Sequence, residues 1–184
     1  ERTKIIYVGS LAGVVPGGPG HSHQAVRDIS TLSSVPNLII VEPCCEIEVK
    51  LLLDWCVNHH LYSSYIRLVS LPCELNYSLP ADYIPALGCG VELLDGNDVV
   101  IISYGPITLN EALKAAKKVS ATTSMTVKVV NLPWLNFVDP TWLQKTIKDC
   151  QKLIVIDNHY KIGAQADSIA RSMADNDIYC KRFI

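Results

Sequence analysis

The chain has 184 residues with a formal net charge of −2, and 49% of them are hydrophobic against 18% charged. That length allows one or two domains, and the near-neutral charge argues against nucleic acid or an acidic membrane surface as a partner. No apolar run reaches the roughly 18 residues of a membrane-spanning helix, so the apolar surplus is read as buried subunit or domain interface.

Residues 4–10 read as a buried strand closed by Gly9. A loop rich in glycine and proline follows, from Gly13 to Gly20, and then His21-Ser22-His23-Gln24. A helix is expected over 23–33 with Ser22 as its N-cap, stopped by Pro36. This layout puts polar side chains at the carboxyl end of a strand, where open α/β sheets bind ligands. The glycines let backbone approach a ligand, and the helix start offers N–H groups to an anion. Residues 38–42 form a second strand, Cys45 to His60 a helix with one apolar face, and 64–69 a third strand. The order β-loop-α-β-α-β implies a parallel sheet.

Residues 71–95 hold Pro72, Pro80, Pro85, Gly88 and Gly90 without a sustained period. They read as a linker between units spanning 1–70 and 96–184. Beyond Asp95-Gly96-Asn97 the pattern restarts. Strands are expected at 98–103, 126–132 and 152–157, and helices at 109–119, 140–150 and 163–174. A last short strand is placed at 179–183. The fold class is therefore α/β, with two parallel or mixed-sheet units.

The seven cysteines are Cys44, Cys45, Cys56, Cys73, Cys89, Cys150 and Cys180. None are spaced C-x-x-C, so no zinc site is expected. The odd count and apolar surroundings predict reduced, mostly buried thiols and a cytoplasmic protein. Glu1 to Lys4 leads straight into a strand, so no secretory leader is expected.

Four residues stand out chemically. His21 and His23 flank the glycine loop; they are metal ligands, a capping cluster, or imidazoles aimed at a substrate oxygen. Arg67 lies inside an apolar strand and needs a partner. It is either ion-paired, with Glu42 the candidate, or a clamp for phosphate or carboxylate. His159 follows a strand in Asp157-Asn158-His159-Tyr160, either in surface hydrogen bonding or at a site. No G-x-S-x-G elbow, G-x-G-x-x-G fingerprint or P-loop occurs.

The segments YVGSLAG and GGPGHSHQAVRDISTLSSVPNLIIVEP resemble the middle, pyrimidine-binding domain of transketolase-type thiamine-diphosphate enzymes. LLDGNDVVIISYGPITLNEALKAAK, VKVVNLPWLNFVDPTWL and LIVIDNHYKIGAQADSIA resemble, in the family's order, its C-terminal domain. The resemblance covers nearly the whole chain. It implies a partial pyrimidine-binding domain over 1–70 and a complete transketolase C-terminal-like domain over 96–184. It implies that His23 is catalytic at substrate oxygens, and that Arg67, His21 and His159 contact substrate. Ser22 and His21 stand where the family has threonine and proline, and Leu11 where transketolases have a second histidine.

The family uses thiamine diphosphate and Mg2+, held by a separate diphosphate-binding domain, and no such motif is present in this sequence. The family's activating glutamate would lie upstream of residue 4. The resemblance thus implies a C-terminal fragment or subunit of a transferase acting on ketose phosphates or 2-oxo acids. It would be inactive as isolated and would bind no cofactor by itself. It would work as a homodimer or with a partner subunit carrying the diphosphate-binding domain. The alternative is a non-catalytic assembly or regulatory module of the same fold.

Overall fold

A computed structural model describes residues 3–15, 17–18, 20, 22–69 and 71–184. Two sheets are stacked through a common core. The first contains β1 (Ile6–Gly9), β2 (Ile39–Val41) and β3 (Ser64–Arg67), ordered β1-β3-β2 and wholly parallel. Its connections run through α1 (Asp28–Leu32) and α2 (Glu46–Asn58).

The second sheet contains β4 (Val91–Leu94), β5 (Val99–Ser103), β6 (Val127–Asn131) and β7 (Lys152–Ile156), ordered β4-β6-β5-β7. β5 pairs in parallel with β6 and β7, whereas β4 runs antiparallel to β6. The helices of this half are α3 (Pro106–Thr122), α4 (Pro140–Thr146) and α5 (Gln165–Asp175).

The apolar runs become strands because both of their faces are covered. In β5, Val99 and Ile101 pack under α3 with Leu109, Ala112 and Leu113. Val100 and Ile102 point the other way, toward Leu143, Ile147 and Ile169 of α4 and its surroundings and α5. That second face also meets Ile39, Val41 and Ile66 of the first sheet, so one core joins the two halves. Trp134 fills its centre, wholly buried, in edge contact with Trp55 at 4.7 Å between ring centroids. Its indole N–H donates to the Cys89 carbonyl at 3.0 Å.

The segment after β6 also closes the free side of β2. Glu42 N–H donates to Pro133 O at 3.0 Å, and Leu135 N–H to Ile40 O at 2.9 Å. Asn136 Oδ1 accepts from Ile40 N–H and its Nδ2 donates to Leu38 O, at 2.9 and 2.7 Å. The chain end covers β7 in the same way, with Leu153 N–H donating to Arg182 O and Val155 N–H to Ile184 O. This replaces the expected last strand by a tail joined through a single bridge, Leu153 to Phe183.

Three expectations need correcting. The helix predicted over 23–33 shrinks to Asp28–Leu32, and Ser22 does not cap it. Residues 24–26 are instead drawn back along the loop: Ala25 N–H donates to Leu11 O and Gly13 N–H to Ala25 O. A five-residue helix offers no sustained dipole to an anion. The stretch 71–95 is not featureless, because β4 lies inside it and pairs with β6. All seven cysteines are free thiols, but only Cys44, Cys56 and Cys150 are buried. No helix among the described residues is long and apolar enough to cross a membrane.

Candidate functional site

The carboxyl ends of β2, β3, β5 and β7 converge, and each delivers a polar residue there. Arg67 ends β3, Glu42 follows β2, Tyr104 follows β5, and Asp157, Asn158 and His159 follow β7. Asp28, the first residue of α1, completes the group.

Arg67 is its centre. Its side chain has no exposed surface, and that of Glu42 is 2% exposed. The guanidinium grips Asp28 with two bonds, Nε to Oδ2 at 2.7 Å and Nη2 to Oδ1 at 3.2 Å. Nη1 donates to Glu42 Oε2, and Nη2 also to the Asn158 carbonyl at 3.1 Å. Tyr65 donates its hydroxyl to Asp28 at 2.9 Å. The Tyr104 ring lies 5.9 Å from the guanidinium carbon. Burial of this charge is tolerable because every face of the fork is satisfied.

The surrounding groups titrate accordingly. Burial pushes the Glu42 carboxyl up to about 7, against the pull of Arg67. Burial works to lower the Arg67 value, but Glu42, Tyr104 and Asp28 together hold it above its usual one. Asp157 is also raised by burial, opposed by backbone N–H groups at the start of α5 and by the Tyr104 hydroxyl. Its two oxygens accept from Gln165 and Ala166 N–H, each at 3.1 Å, and so serve as the missing cap of α5.

Two glycines are required by this packing. Gly105 has φ +68, and a Cβ there would strike the Glu42 carboxylate. Gly13 has φ +86, and a Cβ there would strike the Asn158 amide. Asn158 Oδ1 accepts from Val14 N–H at 2.8 Å, which pins the glycine loop to the second half of the chain.

The network gathers two of the sequence-derived candidates and leaves one outside. Arg67, expected as an ion pair with Glu42 or as an anion clamp, makes the ion pair. His159, expected in surface hydrogen bonding or at a site, has a fully buried side chain. Its Nε2 stands 3.9 Å from Asp28 and 3.5 Å from Ser30 N–H, and its Nδ1 is 2.6 Å from Tyr160 O. His23 is apart and exposed, with Ser22 Oγ 2.8 Å from its Nδ1. His21 lies outside the described residues. Asp28, Tyr104, Asp157 and Asn158 were not singled out from sequence. For Tyr104, Asp157 and Asn158 the signal that could have found them is their placement just beyond strand ends, the rule already applied to Arg67 and His159; Asp28, at the start of α1, carries no such signal.

The model of the transketolase C-terminal domain matches residues 88–183, and that of the transketolase pyrimidine binding domain matches residues 1–69. The chain belongs to the transketolase family. A 1-deoxy-D-xylulose-5-phosphate synthase of Clostridium perfringens is 28% identical over 160 residues, covering 86% of this chain and 25% of that protein. A transketolase C-terminal section of Methanocaldococcus jannaschii is 25% identical, covering 96% of this chain and 54% of its relative. This transketolase-family chain thus spans about a quarter of the length of the synthase and half that of the archaeal protein.

Among solved structures, a split-gene transketolase described as an inactive beta4 tetramer superposes with a TM-score of 0.83 at 22% identity. It covers 100% of this chain and 57% of the other. A transketolase of Pichia stipitis superposes at 0.69 and 16% identity, covering 96% and 24%. Both likenesses establish the fold.

The family resemblance implies thiamine diphosphate with Mg2+, and the donor set can be tested for it. Among the described residues no group of three or more His, Cys, Asp or Glu could hold a metal ion. Of the carboxylates gathered at the site, Glu42 and Asp28 are already committed to Arg67, and Asp157 to the N–H groups that open α5. The described residues therefore do not fit a metal-bound diphosphate.

Proposed function

We propose that this chain is the C-terminal part or subunit of a transketolase-like, thiamine-diphosphate-dependent transferase acting on ketose phosphates or 2-oxo acids. By itself it is inactive. The cofactor site is completed by a homodimer mate or by a partner subunit carrying a diphosphate-binding element. The carrying observation is the sheet of the pyrimidine-binding half: β1 is its outer strand, with Tyr7 50% and Val8 58% exposed. Strand residues of this kind are covered in an assembled protein.

In this reading residues 1–70 are a partial pyrimidine-binding domain and 96–184 the C-terminal domain, with β4 already part of the latter's sheet. His23, exposed on the loop beyond β1, hydrogen-bonds or moves protons at substrate oxygens in the assembled site, and His21, two residues earlier in the sequence, contacts substrate. His159 and Arg67 act from beneath, holding Asp28 and the glycine loop in place. Seven free thiols suit a cytoplasmic setting.

The test is co-purification of the protein from its source, followed by titration with thiamine diphosphate and Mg2+ and a ketol-transfer assay. The assembled protein should bind the cofactor, and His23→Ala should cut turnover about 10²-fold with cofactor affinity unchanged. A homogeneous preparation without partner or cofactor binding would overturn this reading. It would favour a non-catalytic assembly or regulatory module of the same fold. One observation already leans that way: all three nitrogens of the Arg67 guanidinium donate to groups of the protein itself, and its side chain is wholly buried, so it is not presented as an anion anchor.

A further inference from the structure

The last residues of the chain form the outer cover of β7. Just past α5, Ile178 N–H donates to Met173 O at 2.9 Å and the chain turns back. Residues 182–184 then lie along β7. Leu153 N–H donates to Arg182 O at 2.8 Å, Ile184 N–H to Leu153 O at 2.9 Å and Val155 N–H to Ile184 O at 3.0 Å. These bonds seat Leu153 opposite Phe183 in parallel. A parallel pair keeps a constant offset, and the same offset carried back along both segments sets Cys150 level with Cys180. Neighbouring strands lie about 4.8 Å apart, and a disulfide joins Cα atoms roughly 4.4–6.8 Å apart.

Both side chains face one core. Cys150 is 6% exposed and belongs to the cluster that holds Ile147, Leu153, Ile169 and Ile178, and Cys180 packs against that same cluster from the tail. Burial, and after it the nearby Cys180 sulfur, push the Cys150 thiol up. Cys56 also borders this core, but from α2. None of the other five cysteines lies in the tail or in the turn before β7.

We propose that Cys150 and Cys180 are a redox pair: exchange with a low-molecular-mass disulfide joins them reversibly and locks the tail over β7. Cys180 is the partly exposed member and reacts first. Lys181 and Arg182, exposed beside it, favour the approach of an anionic disulfide such as oxidised glutathione. The Cys180 thiolate attacks one glutathione sulfur, the S–S bond breaks, and one glutathione leaves with the Cys180 proton. The Cys150 thiolate then attacks Cys180 Sγ, the two protein sulfurs bond, and the second glutathione leaves with the Cys150 proton. Two protein thiols are oxidised and one glutathione disulfide is reduced to two thiols. In the reduced protein a terminal segment held by a few backbone bonds opens locally at low cost. The disulfide closes a loop around β7 and α5, so the tail stays in place and the N–H and C=O groups on that edge of β7 stay covered.

The intact protein is incubated with oxidised glutathione in the absence of denaturant, quenched with N-ethylmaleimide and mapped by peptide mass spectrometry. The expected product is a Cys150–Cys180 link, reversed by dithiothreitol. Hydrogen exchange should then slow by about tenfold or more at the Leu153, Val155 and Ile184 amides, which donate across the tail contact. It should not slow to that extent at the Leu135 amide, which donates to Ile40 O elsewhere. Cys180→Ser changes a partly exposed side chain of similar size, so the fold is kept while the link and the slowing both disappear. Cys150→Ala should leave Cys180 as a glutathione adduct. Absence of the link in the native protein, a link from either residue to another cysteine such as Cys56, or a link without slowing at those three amides would overturn the proposal.

Discussion

The two sheets solve the same problem unequally. In the C-terminal sheet the central strand β5 is buried at all five residues, and β7 is covered by the chain end. In the N-terminal sheet β2 is buried, but the segment that covers it, 133–136, comes from the other half of the chain. Its opposite edge, β1, is left with exposed side chains. The C-terminal half thus covers its β7 edge from its own sequence. The N-terminal half borrows one edge from its neighbour and leaves the other uncovered. Stability is therefore expected to concentrate where the halves meet, and association at β1.

The most severe way to break this arrangement is to remove Arg67. Arg67→Met leaves Asp28 and Glu42 buried without their cation and should cost about 3–5 kcal/mol. Urea unfolding should show the loss. A change below about 1 kcal/mol would mean that the ionic network does not hold the halves together.

A sharper probe of the same contact is pH. The folded-state value of Glu42, about 7, lies above its ordinary 4.5. Between those values the folded chain holds the proton and the unfolded chain does not. The contribution is therefore full below about pH 4.5 and is lost as pH rises through 7. The loss amounts to about 3 kcal/mol at most. Glu48 and Asp157, also raised by burial, act in the same direction. The melting temperature should fall from pH 5.5 to 8, and Glu42→Gln should flatten that slope while keeping an acceptor for Arg67. An unchanged slope in the variant would remove Glu42 as the source.

Within the C-terminal half, Asp139 caps α4 by accepting from Trp142 N–H at 2.7 Å. Asp139→Ala should cost about 1 kcal/mol, read as a parallel shift of the unfolding curve. The smallest effect is expected at the open edge. Val8→Lys should change the stability of the chain by less than about 0.5 kcal/mol. If β1 is an assembly surface, light scattering should show weaker self-association or partner binding for this variant. Unaltered assembly would place the interface elsewhere.

How much of this was legible in the sequence depends on the element. Strands such as 38–42 and 98–103 announced themselves as short apolar runs bounded by turn residues, because parallel strands are covered on both faces. Their order implied the parallel first sheet. The helix at 23–33 was overpredicted because its apolar spacing is real, yet Ala25 is claimed by backbone bonds to Leu11 and Gly13. β4 escaped notice because four residues, VELL, carry no alternation, and their partner β6 lies more than thirty residues away.

At the site, the Arg67–Glu42 pair could be suspected from a lone cation in an apolar strand. The commitment of Asp28 and Asn158 to the same guanidinium could not. By itself the sequence determined the α/β class, the succession of most strands and helices, the family resemblance and the unusual arginine. These follow from local pattern and from residue types that cannot be buried unpaired. Only the tertiary structure decided which side chains share the buried charge and which sheet edge is closed by the other half. Those outcomes depend on contacts between residues far apart in the chain, where burial and geometry, rather than residue type, set the energy.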